Sequence, residues 1–278
     1  NDIKRFEDGN TVNQLSNGNL LVTGSSAGNG EQRQFTLLNF DRNGNLDATF
    51  GSAGMAFHDL GPVANHSVRS IKELANGKLL VASSVSLDGS YRKDLLVARF
   101  NADGSIDSSF SNNGISIVVP FAYTSANGKV EMEVLNSGKI AVSTGMFDSV
   151  SGDTYITVAL LNEDGSLDIG FDDDGFAQLS WQTVAGIHDL NNGKFIVTGN
   201  FPGNGQRLAL FNVDGSLDST FGSSGVVSSS ISKSSVKTSL VQADGKIVLT
   251  GSTYDYPRGT FAARYNIDGS VDTSFGVN

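Results

Sequence analysis

The sequence predicts an all-β chain folded as a five-bladed β-propeller, with four antiparallel strands in each blade. Three observations carry that prediction. One segment recurs five times, at Phe40 (FDRNGNLDATFGSAG), Phe100 (FNADGSIDSSFSNNG), Leu161 (LNEDGSLDIGFDDDG), Phe211 (FNVDGSLDSTFGSSG) and Tyr265 (YNIDGSVDTSFG). A second segment recurs in the same phase, at Leu15 (LSNGNLLVTGS), Leu74 (LANGKLLVASS), Leu135 (LNSGKIAVSTG), Leu190 (LNNGKFIVTGN) and Val241 (VQADGKIVLTGS). Two signatures in one register mark a chain of internal repeats, each a supersecondary unit that buries its faces against its neighbours. The third observation is composition. With 33 Gly, 17 Phe, only 4 Pro and 17% charged residues, the chain suits short strands and many tight turns.

The second repeat justifies each element in turn. Ser67 to Leu74 reads as the first strand. Asn76-Gly77 is a two-residue turn that favours φ > 0, a strong hairpin signal. Lys78 to Ser84 is the second strand and, after a polar loop, Leu95 to Asn101 is the third. Both are nearly unbroken apolar runs, which suits strands covered on both faces, as in a blade packed between two blades. An open sandwich would leave one face wet and show alternation. In the connector, Asp103-Gly104 turns tightly, and Asp107 sits where its carboxylate can cap the single turn Ser108 to Phe110. Asp47, Asp107, Asp168, Asp218 and Asp272 occupy this position in the five copies. The Phe tucks under the sheet edge, and the Gly that follows in most copies can take a left-handed exit conformation. Ile115 to Val119 is the fourth strand.

The fifth copy offers strands at Ser235 to Val241, Lys246 to Ser252 and Thr260 to Asn266, and no fourth strand after its connector. The segment Asp2 to Glu7 has the apolar pattern of the other fourth strands. Ile3 to Phe6 is therefore expected to pair with the third strand of the last blade, so that the N-terminal strand closes the last blade. An unpaired edge there would be a liability. Residues 1–278 read as a single propeller domain.

The pattern Asn-x-Asp-Gly-Ser-x-Asp also places carboxylates at alternate positions, as calcium loops do. The copies lack the closing bidentate Glu, and Asn43 stands for Asp in the first. Turn and cap requirements explain the same residues with less, so no metal and no cofactor are expected, calcium being the weaker reading. There is no cysteine, which excludes disulfides and thiol chemistry. The net charge of −10 argues against a nucleic-acid partner, because phosphate binding relies on clustered Lys and Arg. No apolar run is long enough to span a membrane. Asn1 in place of Met suggests a processed or trimmed chain.

The repeated N-x-D-G-S-[LIV]-D-x-x-F-G, preceded by D/N-G-K-[IL]-[VL]-V-x-G, resembles the delta-60 repeat of bacterial proteins. The resemblance covers nearly the whole chain, the third copy departing most at Ile169-Gly170-Phe171-Asp172. It implies propeller-like blades in a larger, secreted or surface-attached bacterial protein. It supplies no catalytic residues.

If the first strand of each repeat runs from one face to the other, the regular turns and connectors share one face. The irregular loops share the opposite face, and loops carried on a rigid scaffold commonly hold function. Arg33, Arg92, Arg207 and Arg258 fall at the start of the third strand in four copies, with Tyr155 in the same region of the third copy. Such arginines could meet carboxylates or phosphates, or could pair with local Asp residues. Tyr123, Trp181, Tyr254 and Tyr256 are loop aromatics suited to stacking on sugar rings or to packing within the loops. His58, His66 and His188 show no metal-ligand spacing.

The resulting expectation is a non-catalytic recognition or adhesion module binding a glycan or a surface protein through the irregular-loop face. The alternatives are a glycoside hydrolase-type enzyme, or a structural or oligomerisation unit. A glycosidase needs two converging carboxylates. Glu131, Glu133 and Asp189 lie on predicted first strands but at different positions along them. No catalytic residue is assigned.

Overall fold

The computed structural model describes residues 5–27, 34–58, 67–85, 94–118, 124–201, 205–229, 231, 233–254 and 258–276, with the side chains of 5–10, 67–69 and 124–128 left aside. The described residues are all-β and form five separate antiparallel sheets. The first sheet is β1 (Arg5–Gln14), β2 (Leu20–Ala27), β3 (Gln34–Phe40) and β4 (Met55–His58). The second is β5 (Ser67–Glu73), β6 (Leu79–Val85), β7 (Asp94–Phe100) and β8 (Ile115–Val118). The third is β9 (Thr124–Val134), β10 (Ile140–Asp148), β11 (Thr154–Leu161) and β12 (Phe176–Leu179). The fourth is β13 (Thr183–Asp189), β14 (Lys194–Phe201), β15 (Gly205–Asn212) and β16 (Val226–Ser228). The fifth has three strands, β17 (Ser234–Val241), β18 (Ile247–Thr253) and β19 (Thr260–Tyr265). Each sheet is a meander, so one repeat of sequence makes one sheet.

The unbroken apolar runs behave as expected. Every residue of β6 and of β7 is buried. The first strands carry a recurring irregularity, between Gly9 and Thr11, Val68 and Ser70, Val184 and Gly186, and Val236 and Thr238. A bulge at this place bends the strand and raises its twist.

The N-terminus corrects one expectation. Ile3 and Lys4 lie outside the described residues, but Arg5 and Phe6 pair with Ala27 and Ser26 of β2. A register shift between Phe6 and Asp8 lets the ladder continue, so residues 5–14 form one long strand of the first sheet. These residues do not serve as the outer strand of the last sheet.

The chain divides into two compact units. One comprises 1–130 with 148–151 and 163–166; the other comprises 131–147, 152–162 and 167–278. The first unit packs Leu21, Leu37, Leu79, Val81, Ala98 and Phe100 into one core. Among the described residues the second holds a core around Phe171, Phe195 and Phe211 and another around Leu208, Phe221, Ile247 and Tyr265.

Successive repeats dock through their connectors. The Phe110 ring lies against Gly165 of the next repeat, where a Cβ would sit 2.6 Å from the ring, and Ser111 N–H donates to the Asp164 carbonyl at 2.7 Å. Phe50 meets Gly104 in the same way, and Gly51 N–H donates to the Asp103 carbonyl at 2.8 Å. In the second unit Asp172 N–H donates to Asp214 O at 2.8 Å and Gly222 N–H to Asp268 O at 3.1 Å. Gly104 and Gly165 therefore have two tasks. Each takes a positive φ of +84°, and each leaves room for the preceding repeat's ring.

Candidate functional site

The five connector aspartates are turn caps. One oxygen of Asp107 accepts from Ser109 N–H at 3.2 Å and from its hydroxyl at 2.7 Å. The other accepts from Lys78 Nζ at 2.7 Å and Arg99 Nε at 2.6 Å. The pattern repeats. Asp47 takes Thr49 and Asn19; Asp218 takes Thr220 and Lys194; Asp272 takes Ser274, Lys246 and Arg264. Asp168 takes Gly170 N–H and Lys139. The lysine of each Gly-Lys turn thus closes onto the cap aspartate of its own repeat. In the first copy Asn19 replaces it.

This network fixes the charge state of the caps. Burial pushes the Asp107 carboxyl up, but Lys78, Ser109 and Arg99 outweigh it and hold the group far below the usual range. Lys194 and Thr220 bring Asp218 down to about 2, and Lys246 with Ser274 depresses Asp272 as well. The Asp-Gly aspartates Asp103, Asp164, Asp214 and Asp268 are lowered by the hydroxyl and N–H of the serine two residues on. Carboxylates bonded to their own turn donors and to Lys or Arg present no converging oxygen set of the kind calcium requires.

A concave site lies in the first unit, where the ends of β1 and β5 meet at the regular-turn face. A groove of about 950 Å³ is lined by Asn13, Gln14, Arg42, Lys72 and Glu73, over Leu15 and Leu20. Alternation along β1 and β5 places these side chains, and the Asn17-Gly18 turn carries the rim. Glu73 accepts from Ser16 N–H at 2.6 Å and Ser16 Oγ at 2.8 Å. Arg42 is pinned by Asn17 O, which accepts from Nε at 3.1 Å and Nη2 at 2.7 Å. Among its described residues the groove holds one carboxylate with two cations and two amides, a set suited to an anionic, hydroxyl-rich ligand. A smaller cavity of about 440 Å³ lies at the first connector. Its His58 ring bonds Gly104 O at 2.8 Å and is pushed by burial towards the neutral form, a junction contact.

The loop residues singled out from sequence are scattered. Arg33, Arg92, Tyr123 and Tyr256 lie outside the described residues. Trp181 is 4% exposed and belongs to a core of the second unit, so it packs under its loop. Arg207 covers the Phe201 ring at 4.6 Å. Tyr155 is half-buried on β11, opposite Met146. Tyr254 and Arg258 are exposed between β18 and β19. These residues stand on three sheets, and no described contact joins one to another. Asp189, weighed as a carboxylate of an enzyme, instead accepts from Asn136 N–H at 2.8 Å, the same service Glu73 gives Ser16. The sequence reading passed over Lys72, Glu73 and Arg42. The one signal for Glu73 was its place directly before Leu74, as Asp189 stands before Leu190.

The fold and the repeated docking define a repeat protein of the β-propeller class. The chain belongs to the family described as a domain of unknown function (DUF5122) beta-propeller, whose model matches residues 15–50, 74–110, 190–221 and 242–275. No curated protein matches the sequence. Among solved structures the chain is similar to the polysaccharide lyase Uly1, at 9% identity and a TM-score of 0.55 over 92% of this chain. It covers 57% of that lyase, so it spans little more than half of its length. It is also similar to the Penicillium chrysogenum alpha-L-arabinanase complexed with arabinobiose, at 13% identity and TM-score 0.54, covering 93% of this chain and 76% of that one. A third is Drosophila Semaphorin 2a, at 10% identity and TM-score 0.53, covering 93% of this chain and 48% of that one. These similarities show the fold. They correct the expectation of a non-catalytic recognition module, since the structures sharing the fold include a polysaccharide lyase and an arabinanase; the enzyme alternative is the one carried forward.

Proposed function

We propose that the five sheets are the five blades of a β-propeller and that this domain cleaves an acidic polysaccharide in the groove on β1 and β5. The observation that carries this reading is the groove's composition, with Lys72, Arg42, Asn13 and Gln14 around the single carboxylate of Glu73. The four repeat-to-repeat docking contacts support the blade assignment. Hydrolysis in the manner of most glycosidases needs two carboxylates; the described residues of the groove supply one, which favours elimination. Arg42 and the amides would hold a uronate carboxylate and offset the charge that develops when the adjacent C–H loses its proton. Lys72 would be the group placed to take the proton. The β C–O bond then breaks, a C=C bond forms, and the departing oxygen takes a proton from water. A polymeric substrate of this kind accords with a secreted or surface-attached protein.

The test is a panel of uronate-containing and neutral polysaccharides. Ultraviolet absorbance of the new C=C bond is read beside the release of reducing ends. Cleavage of a uronate polymer with rising absorbance, abolished in Lys72→Ala, is expected. Reducing ends without absorbance would mean hydrolysis, and no cleavage of any polymer would reject the enzyme reading.

A further inference from the structure

Arg42 rests on a platform built from the turn that rims the groove. Leu15 N–H donates to Asn19 O at 2.8 Å, Gly18 N–H to Leu15 O at 2.8 Å and Asn19 N–H to Asn17 Oδ1 at 2.9 Å, which closes the turn. Gly18 takes φ +85°, and a Cβ built there would fall 2.3 Å from Arg42 Nε and 2.7 Å from its Cζ. The guanidinium therefore occupies space that only a glycine leaves open. Its Nε and Nη2 both donate to Asn17 O. Among the described residues nothing bonds Nη1. One edge of the fork is thus engaged by the main chain, and the edge formed by Nη1 and Nη2 is left for a ligand in the groove that Arg42 lines. Two N–H groups side by side match the two oxygens of a carboxylate.

The turn itself is fastened from the second repeat. One oxygen of Glu73 accepts from Ser16 N–H at 2.6 Å and the other from the Ser16 hydroxyl at 2.8 Å. In the other copies Ala75, Asn136, Asn191 and Ala243 stand in the place of Ser16, and Ala102, Glu163, Val213 and Ile267 in the place of Arg42. The hydroxyl and the arginine occur together in the first copy and in no other. With both oxygens engaged by Ser16, Glu73 anchors the platform on which Arg42 lies.

We propose that the groove selects a free uronate over its methyl ester through the Nη1–Nη2 edge of Arg42, and that Ser16 and Glu73 are positioning residues that aim this edge through the Asn17 carbonyl. The inference rests on the reading of the groove as a uronate site, and it narrows the substrate class to polymers whose uronates are unesterified. An ester has no charge and one good acceptor oxygen, so the fork would hold it by one neutral bond in place of two charge-assisted ones.

Binding is measured separately from cleavage, by isothermal titration of polygalacturonate, alginate and hyaluronan and of the methyl ester of each. The wild type is expected to bind the free form of one of these polymers at least about tenfold more tightly than its ester. Arg42→Gln should remove most of that preference, and Arg42→Lys, which keeps the charge and loses the fork, should leave it reduced. Ser16→Ala and Glu73→Gln should each lower it on the order of threefold, the scale of one neutral hydrogen bond, while Ser16→Thr retains it. Partial loss of fold weakens both forms alike and leaves the ratio unchanged. The Glu73 variant also discriminates by sign. Removing a negative charge from the groove raises the preference if Glu73 is merely a neighbouring charge, and lowers it if Glu73 anchors the platform. Equal binding of free and esterified polymer, binding of neither, or a preference untouched by Arg42→Gln overturns the selection. A preference unchanged in Ser16→Ala or raised in Glu73→Gln overturns the positioning roles. Selective binding without cleavage supports this inference and rejects the enzyme reading; cleavage without preference does the reverse.

Discussion

The second and third connectors perform one task with different means. In the second, Asp107 caps Ser109 through both N–H and hydroxyl and is gripped by Lys78 and Arg99. In the third, Asp168 caps Gly170 through N–H alone at 3.3 Å and is held by Lys139. The residue between cap and glycine there is Ile169, left 73% exposed. The third connector also crowds Asp172, Asp173 and Asp174. Burial first, and then those neighbours with Asp214, raises the Asp172 carboxyl. Both connectors still place a fully buried Phe, Phe110 and Phe171. The buried ring and the N–H bond to the next repeat's Asp carbonyl are therefore the fixed parts of a junction, and the cap is adjustable.

If so, the ring should matter most. Phe110→Ala should lower unfolding free energy by about 3–5 kcal/mol in chemical denaturation, as other large-to-small core changes do. A loss no greater than that of the cap variant would reverse the ranking. Gly165→Ala is next. It forces an L-residue into a left-handed conformation, costing about 1–2 kcal/mol, and also pushes on the Phe110 ring; the same denaturation series reads it. Asp107→Ala removes a cap, worth about 1–2 kcal/mol, and leaves Lys78 and Arg99 without their shared carboxylate.

Acid should act through the same caps. Folded Asp218 titrates at about 2, and Asp107 and Asp272 are depressed too. An unfolded aspartate titrates near about 4. Between those values the unfolded chain binds more protons, so the caps' contribution is complete above about pH 4 and declines as pH falls towards 2. Melting temperature should fall across that window, and less steeply in Asp218→Asn. The smallest effect tests the comparison from the other side. At Gly170 a Cβ would meet its nearest atom, Asp168 Oδ1, at 3.4 Å, so there is room for a side chain. Gly170→Ser should restore the missing hydroxyl bond and stabilise by about 0.5–1 kcal/mol. Unchanged or lower stability would show that the third connector is not a weakened copy of the second.

Elements governed by near neighbours were readable from sequence. The second repeat's strands begin and end within a residue of expectation at Ser67–Glu73, Leu79–Val85, Asp94–Phe100 and Ile115–Val118. The cap role of Asp107 needs a donor two residues away and was equally plain. The Lys78 to Asp107 bond was not, although both residues stood in recognised motifs, because pairing across a sheet is a tertiary fact. Phe6 misled because an apolar segment before a strand can pair on either side, and only register decides. Trp181 misled because loop position says nothing about which way a large ring turns. The groove was missed because its lining comes from strand ends and a turn that sequence reading had filed as scaffold.

The docking of one connector on the next uses a main-chain carbonyl, a glycine and a single ring. None of these is particular to one repeat. A stretch of gene encoding one copy, duplicated in frame, would thus bring both halves of its own fastening with it. Copies inherited in this way could diverge freely in their loops without forfeiting their place in the row.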